Sequence, residues 1–462
     1  MRDVLVSMIL LGLLPACFRR PYVGLLVFSW LAYMRVQDLT WGFARDMRWS
    51  YYVAVLMLLG FILQPRERWF IVDVRTLIMI GLVILCTIGL ALSHPDASVY
   101  TRYIEYIKVV AVALFTTAVV KTRDQLRVLV WVVALSLGFY GVKTGLWVIL
   151  TGGGKILQGP GGMLADNNDF AMALAMAVPM LVQVGITEQR KLVRRAFFVA
   201  VPLTILSVGA TYSRGGFLSV AIAIGILVWR SRNRVVGILI GLLLAIVAVI
   251  AMPQSYKDRL ATLKAPTEEG SAAGRLRAWQ VATNMATQNP FFGVGFAQFR
   301  GNWLKYCDEP TPQEKEGRAV IVAHSSYFQI WAELGTPALV IYLLMLVWSF
   351  IAIWRLRRLA TRAYFSSWIL DYCTLFEASL AAFVVGSAFL NRATFDLMYH
   401  WIAVILVFEV IARREIADPR VAAGRKGGRG VLRRVAQGGF AATPRRQVQR
   451  GFRTAELIPG EG

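Results

Sequence analysis

Runs of apolar residues separated by short polar segments recur along almost the whole chain, near residues 3 to 18, 21 to 34, 51 to 64, 76 to 93, 103 to 120, 128 to 150, 170 to 186, 196 to 213, 215 to 229, 235 to 252, 334 to 354, 373 to 390 and 398 to 412. Each reaches or approaches the roughly 20 residues that a helix needs to cross ~30 Å of hydrocarbon. The pattern predicts an all-α polytopic integral membrane protein of about 12 spans, twelve or thirteen according to whether both short N-terminal runs cross. The opening MRDVLVSMILLGLLPACFRR has a single early arginine, the flanking pair Arg19 and Arg20, and a second apolar run directly after it. These features predict a retained first span rather than a cleaved leader.

The polar segments between the runs set the orientation. Segments 65 to 75, 121 to 127, 187 to 195, 230 to 234 and 355 to 362 hold 17 Lys and Arg against 4 Asp and Glu. The alternating set, 35 to 50, 94 to 102, 151 to 169, 253 to 323 and 391 to 397, holds 15 against 13. Basic residues beside span ends stay cytoplasmic, so the first set is expected inside and the second outside. This asymmetry accounts for most of the net charge of +23, which in a soluble protein would suggest nucleic acid. With 57% hydrophobic and 17% charged residues and a mean hydropathy of +0.56, the composition excludes an ordinary soluble chain. Residues 413 to 462 carry 12 basic against 4 acidic residues, are rich in Gly and Pro, and lack an apolar period. They are expected to form a disordered cytoplasmic tail beside anionic lipid headgroups, with no nucleic-acid partner.

One outward segment is long. Residues 253 to 323 make a 71-residue loop, and connections beyond ~15 residues usually carry function or lack order. Within it SAAGRLRAWQVATNMATQ (271 to 288) places a Ser at an N-cap position, Leu276, Trp279, Ala282 and Met285 at helical spacing, and Asn289-Pro290 as a stop. That spacing predicts a helix lying on the outer membrane surface. In the FFGVGFAQF that follows, Gly293 and Gly295 permit a tight turn flanked by aromatic residues. The chain therefore divides into spans over 1–252, the large outer loop over 253–323, further spans over 324–412, and the tail over 413–462.

No HExxH, GxSxG or GxxxxGK[ST] occurs in a suitable context, nor a DxD with a partner. Zinc proteolysis, serine hydrolysis, ATP hydrolysis and metal-dependent nucleotide-sugar transfer all lack their motif. Cys17, Cys86, Cys307 and Cys373 are scattered without CxxC spacing, which supports neither a disulfide framework nor a zinc site. The energy for a reaction must come from an activated substrate, with no cofactor and no metal. What remains is an outward-facing set: LADNNDF (164 to 170), TYSRGGF (211 to 217), AGRLRAW (273 to 279), NPFFGVGFAQF (289 to 299) and AHSSYFQIWAELG (323 to 335).

In this order, over roughly residues 164 to 355, these segments resemble the core of the O-antigen ligase and polymerase superfamily. The carrying patterns are SRGG opening a span, GR-x-x-x-W, NP-x-x-GVG-x-x-x-F, and H-S leading to AELG at the next span. DNND followed by AMALAM is also similar to the O-glycosylation ligases associated with exosortase systems. The resemblance implies a GT-C-like membrane glycosyltransferase that moves an O-antigen glycan from undecaprenyl diphosphate to lipid A-core oligosaccharide. Its partners would be that lipid-linked donor, the lipid A-core acceptor and membrane lipids.

The residues themselves fit such chemistry. His324 closes the long loop at the start of a span, where a neutral imidazole can be both oriented and wet and can accept the proton of an attacking sugar hydroxyl; His94 and His400 sit at span ends without basic or Gly-rich company. A diphosphate leaving group calls for guanidinium forks. Arg214 lies at headgroup depth between two spans, where snorkelling to the interface is the plainer use of an arginine. Arg275 and Arg277 stand ~200° apart around a helix, so only one can face a given pocket; Arg275 matches the GR of the family. Arg392, in NRATFD, is a third candidate diphosphate ligand. Asp166 and Asp169 precede a span and can hydrogen-bond sugar hydroxyls, cap the helix or hold a cation, capping being the commonest use. With Tyr212 they are expected to bind substrate. Glu333 lies ~13 Å along a helix from His324, too far to be its direct partner.

Other classes fit less well. A lipid-linked glycan flippase or transporter usually keeps ionisable residues at the midplane and repeats its halves, whereas here the polar groups gather on one face. An O-antigen polymerase or a protein O-oligosaccharyltransferase would use the same donor with another acceptor.

Overall fold

The structure is a computed structural model that describes residues 1–64, 70–93, 96–231, 270–362 and 366–417, with five further positions between 235 and 241. Most of the expected span at 235 to 252, the first part of the long loop, His94 and most of the tail therefore lie outside the described residues. By internal contacts the chain divides into Met1–Arg413 and Arg414–Gly462; the description below is of the first unit.

The described residues are helical, with one two-residue bridge between Gln158 and Asp166. In order, the helices are α1 (Arg2–Arg19), α2 (Pro21–Met34), the short α3 (Phe43–Asp46), α4 (Trp49–Leu63), α5 (Val74–Leu92), α6 (Ala97–Val119), α7 (Arg123–Leu150), α8 (Asn167–Thr187), α9 (Lys191–Ala210) and α10 (Arg214–Arg230). Beyond the long gap come α11 (Gly270–Gln288), the short α12 (Trp303–Tyr306) and α13 (Pro312–Lys315), then α14 (Ser326–Arg362), α15 (Ser367–Ser387) and α16 (Asp396–Ala417). Local sequence starts many of them. Asp73, Asp96, Thr122, Asp166 and Ser213 each accept backbone N–H groups at a helix start, so donors that the first turn leaves unpaired are satisfied.

Among the described residues, six helices are long and apolar enough to cross a membrane: Val74–Leu92, Arg123–Leu150, Asn167–Thr187, Lys191–Ala210, Ser326–Thr361 and Ser367–Ser387. Pro21–Met34 and Trp49–Leu63 are shorter apolar helices. The protein is thus an all-helical, multi-pass membrane protein. Helix α8 is its axis: it packs against α7, α9, α10 and α15, and is buried over most of its length.

Polar contacts collect at the two ends of the bundle. At one end Arg75 pairs with Asp73 and Glu409, and Glu377 takes Arg230 and Arg357. At the other, the 151–166 loop meets α9 through Ile156 N–H donating to Ala210 O at 2.9 Å, and Ser326 Oγ donates to Leu390 O at 2.8 Å. His400 is structural: it lies buried in α16, stacked on Tyr33, whose hydroxyl is 2.7 Å from Nδ1.

The helix read from 271 to 288 buries a stripe that coincides only in part with the one its spacing suggested, the two sharing Ala282 and Met285. Leu276 is 62% exposed, whereas Ala278, Val281, Ala282 and Met285 are buried against Phe299, Trp303, Tyr306 and Ala323. The long loop has an apolar core of its own, and α11 also packs on α14. Competition for that core, rather than the interface, selects the buried stripe.

Candidate active site

The DNND segment begins the site. Asp166 caps α8, its Oδ1 accepting the N–H groups of Asn168 at 2.8 Å and Asp169 at 3.4 Å. Asn167 Nδ2 donates to Thr211 O at 2.9 Å, which ties this turn to the TYSRGG turn. Asp166 stays exposed. Asp169, one turn inward, is buried and forms an ion pair with Arg392, so a carboxylate of α8 meets the loop between α15 and α16.

In TYSRGG, Tyr212 adopts left-handed backbone at φ +56, and Ser213 caps α10 by accepting Gly216 N–H at 3.1 Å. Gly216 has a packing reason: an added Cβ would lie 2.4 Å from Ala171 Cβ on α8. The close approach of the two helix starts sets half-buried Arg214, the first residue of α10, at the same end as Asp166. Lys155 Nζ lies 4.9 Å from the centre of the Tyr212 ring, a cation–π pair inside the site.

His324 ends the long loop at φ +46, a conformation that costs a non-glycine residue free energy and persists only where neighbours enforce it. The enforcing contacts are visible on both sides. Before it, Trp279 Nε1 donates to Ala323 O at 2.9 Å while the indole stacks on Phe328 at 5.1 Å. After it, Ser326 is buried, its Oγ donating to Leu390 O and accepting Arg392 N–H at 3.0 Å. One serine therefore anchors both the histidine segment and the Arg392 loop. The imidazole is half-buried, and its pKa falls below the ordinary value of 6.5 because burial disfavours the cation and Arg275 repels it, with Asp166 opposing. His324, Arg275 and Asp166 thus share one electrostatic neighbourhood. Arg277 faces elsewhere, as the helical angle requires, and pairs with Glu314 inside the loop, holding that carboxyl down to about 2.

The two remaining motifs interlock. Val294 N–H donates to Ala332 O at 2.9 Å, Gly295 N–H to Glu333 O at 3.0 Å, and Ala297 N–H to Glu333 Oε2 at 3.1 Å. Thr336 N–H donates to Pro290 O at 2.7 Å where α14 breaks at Gly335, whose φ is +83. A Cβ on Gly335 would fall 2.5 Å from the Phe291 carbonyl carbon. NPFFGVG and AELG are therefore one joint, and Glu333 serves it rather than His324.

The candidate site residues Asp166, Asp169, Tyr212, Arg214, Arg275, His324 and Arg392 lie at this end of the bundle. Sequence reasoning did not find Lys155, the pairing of Arg392 with Asp169, or an arginine from the N-terminal helices. That last residue, Arg45, lines a cavity of about 650 Å³ with Gln158, Gly159, Gly161 and Asp166. No motif marked it, because it reaches the site across more than a hundred residues of chain.

A family model described as O-antigen ligase matches residues 197–343, which include Tyr212, Arg214, Arg275 and His324. Over residues 197–343, about a third of the chain, this similarity supports membership of the O-antigen ligase superfamily. A second family model, described as a family of unknown function, matches residues 1–170 and so takes in Asp166 and Asp169. No curated protein matches the chain. Among solved structures, a chain from one described as "Structural coordination of polymerization and crosslinking by a peptidoglycan synthase complex" is similar at 15% identity and a TM-score of 0.42, over 76% of this chain and 100% of that one.

Proposed function

We propose that this O-antigen ligase superfamily member is a lipid-linked-oligosaccharide-dependent glycosyltransferase of about 12 spans and GT-C-like architecture, working on the periplasmic face of the bacterial inner membrane. It transfers an O-antigen glycan from undecaprenyl diphosphate to lipid A-core oligosaccharide. The observation that carries this reading is His324, held in left-handed backbone at the close of the long loop within the electrostatic reach of Arg275 and Asp166.

An acceptor hydroxyl attacks the anomeric carbon from the face opposite the diphosphate, the glycosidic C–O bond breaks, and the configuration inverts. The hydroxyl proton passes to a ring nitrogen of His324, and the electron pair leaves on the diphosphate. Arg214, Arg275 and Arg392 receive the charge that grows on that leaving group. Tyr212, Asp166 and Asp169 line the sugar path. One base and a cationic clamp suffice for so good a leaving group, so no covalent intermediate and no metal are required.

Purified protein given an undecaprenyl-diphosphate glycan and three acceptors tests this: rough lipopolysaccharide, the same lipid-linked glycan, and a Ser/Thr-rich protein. Rough lipopolysaccharide should gain the sugar, in EDTA as well as in Mg²⁺. Transfer to the lipid-linked glycan alone would make the protein a polymerase, and activity that vanished in EDTA and returned with Mg²⁺ would make the DNND carboxylates metal ligands.

A further inference from the structure

Building on the glycosyl-transfer reading, we propose that the cavity between α3 and the loop before α8 is the acceptor subsite, and that it takes a saccharide bearing a carboxylate or phosphate group. The cavity, about 650 Å³, lies within the roughly 300–1,000 Å³ typical of ligand sites. All its lining residues, Arg45 and seven between Leu157 and Asp166, lie outside the membrane-spanning helices. Both substrates keep their lipid chains in the bilayer, so a space outside the spans takes a saccharide, and the acceptor's is the one whose hydroxyl must reach the base.

The walls are built rather than incidental. Arg45 sits on a turn fixed by Asp3, whose Oδ1 accepts the N–H groups of Gly42 at 2.9 Å and Ala44 at 3.3 Å, and by Trp49, whose Nε1 donates to Ala44 O at 2.9 Å. The facing wall is glycine for a physical reason. Gly161 and Gly162 have φ +108 and +55, and a Cβ on Gly162 would lie 2.0 Å from Arg35 Nη1, the arginine that pairs with Asp38. The N-terminal segment therefore both supplies Arg45 and props the glycine loop that leads to Asp166.

The chemistry of the two polar ends selects the ligand. Asp166 uses one oxygen to cap α8 while remaining exposed, so it can accept from sugar hydroxyls. Arg45 is exposed and, among the described residues, forms no ion pair. A neutral sugar would satisfy Asp166 alone, whereas an acidic substituent adds the guanidinium fork. Since the Asp166 carboxylate also acts on His324 through its charge, a saccharide seated here ends at a wall within electrostatic reach of the base.

Calorimetry on the full-length protein in detergent, with a disaccharide ending in glucuronic acid and its counterpart ending in glucose, tests the proposal. The acidic sugar should bind about ten-fold more tightly, as a hydrogen bond to a charged group implies. Arg45→Glu should abolish that preference and Arg45→Lys should keep part of it, while both leave binding of the undecaprenyl-diphosphate glycan unchanged. Equal binding of the two sugars, or a preference that survives Arg45→Glu, overturns the subsite. Failure of the wild-type protein to bind the lipid-linked glycan would instead remove the transfer reading, and with it the acceptor role.

Discussion

Trp279 donates its indole N–H to the carbonyl of Ala323, so the helix that carries Arg275 also holds the peptide directly before His324. Replacing Trp279 with Phe keeps a ring to stack on Phe328 and deletes only the hydrogen bond. We expect kcat to fall about five-fold with KM for the lipid-linked donor nearly unchanged, since about 1 kcal/mol of positioning is lost. An unaltered kcat in a folded Trp279→Phe protein would show that the contact does not orient the histidine.

His324 and Arg214 should fail differently when removed. His324→Ala takes away the proton acceptor and should lower transfer by ~10²-fold or more while donor binding persists. Arg214→Ala should weaken donor binding and turnover together, and Arg214→Lys should restore only part, because an ammonium lacks the bidentate fork. If His324→Ala no longer binds the lipid-linked glycan, the catalytic-base role is lost.

The pH dependence follows from the environment of the imidazole. A base works unprotonated, and His324 is lowered below 6.5 first by burial and then by Arg275. The rate should rise along an acid limb whose midpoint lies below 6.5 and should be flat at neutral pH. Arg275→Gln should move that limb upward and Asp166→Asn should move it downward. The same shift acts on stability: the folded state favours neutral imidazole, so the contribution is complete above 6.5 and is lost as pH falls through the lowered value. A limb that persists in His324→Ala would belong to another group.

The Asp169–Arg392 pair gives a stability test. Arg392→Ala would leave the Asp169 carboxylate buried without its cation, at a cost of about 2 kcal/mol after allowing for the partial exposure of the arginine. Asp169→Asn combined with Arg392→Gln should recover most of that loss in chemical denaturation, because both charges go together. Equal destabilisation by the single and double variants would count against a working ion pair.

Much of this was legible along the chain, because spans, caps and turn glycines are local signals. The order of the five outward segments points to one end of the bundle, and the ~200° between Arg275 and Arg277 sets them on different faces of one helix. Four features were not legible. The buried face of α11 is chosen by Trp303, Phe299 and Ala323, which come from other parts of the loop. Arg392 finds Asp169 across 223 positions, and Arg45 reaches Asp166 by the packing of a turn that carries no motif. The left-handed backbone of His324 is likewise imposed by neighbours, not by its own residue type.

The break at Gly335 divides a 37-residue helix that would measure ~55 Å if continuous. Its hydrogen-bond ladder is interrupted there, so the outer arm, Ser326 to Leu334, and the span below do not share a rotational phase. One residue inserted below Gly335 would turn the span by ~100° and leave the outer arm facing as before. The same insertion between Ser326 and Leu334 would swing Ser326 off Leu390 and carry His324 with it. Lipid-facing positions of the span can therefore drift in sequence without retiming the histidine, a tolerance that an unbroken helix would not have.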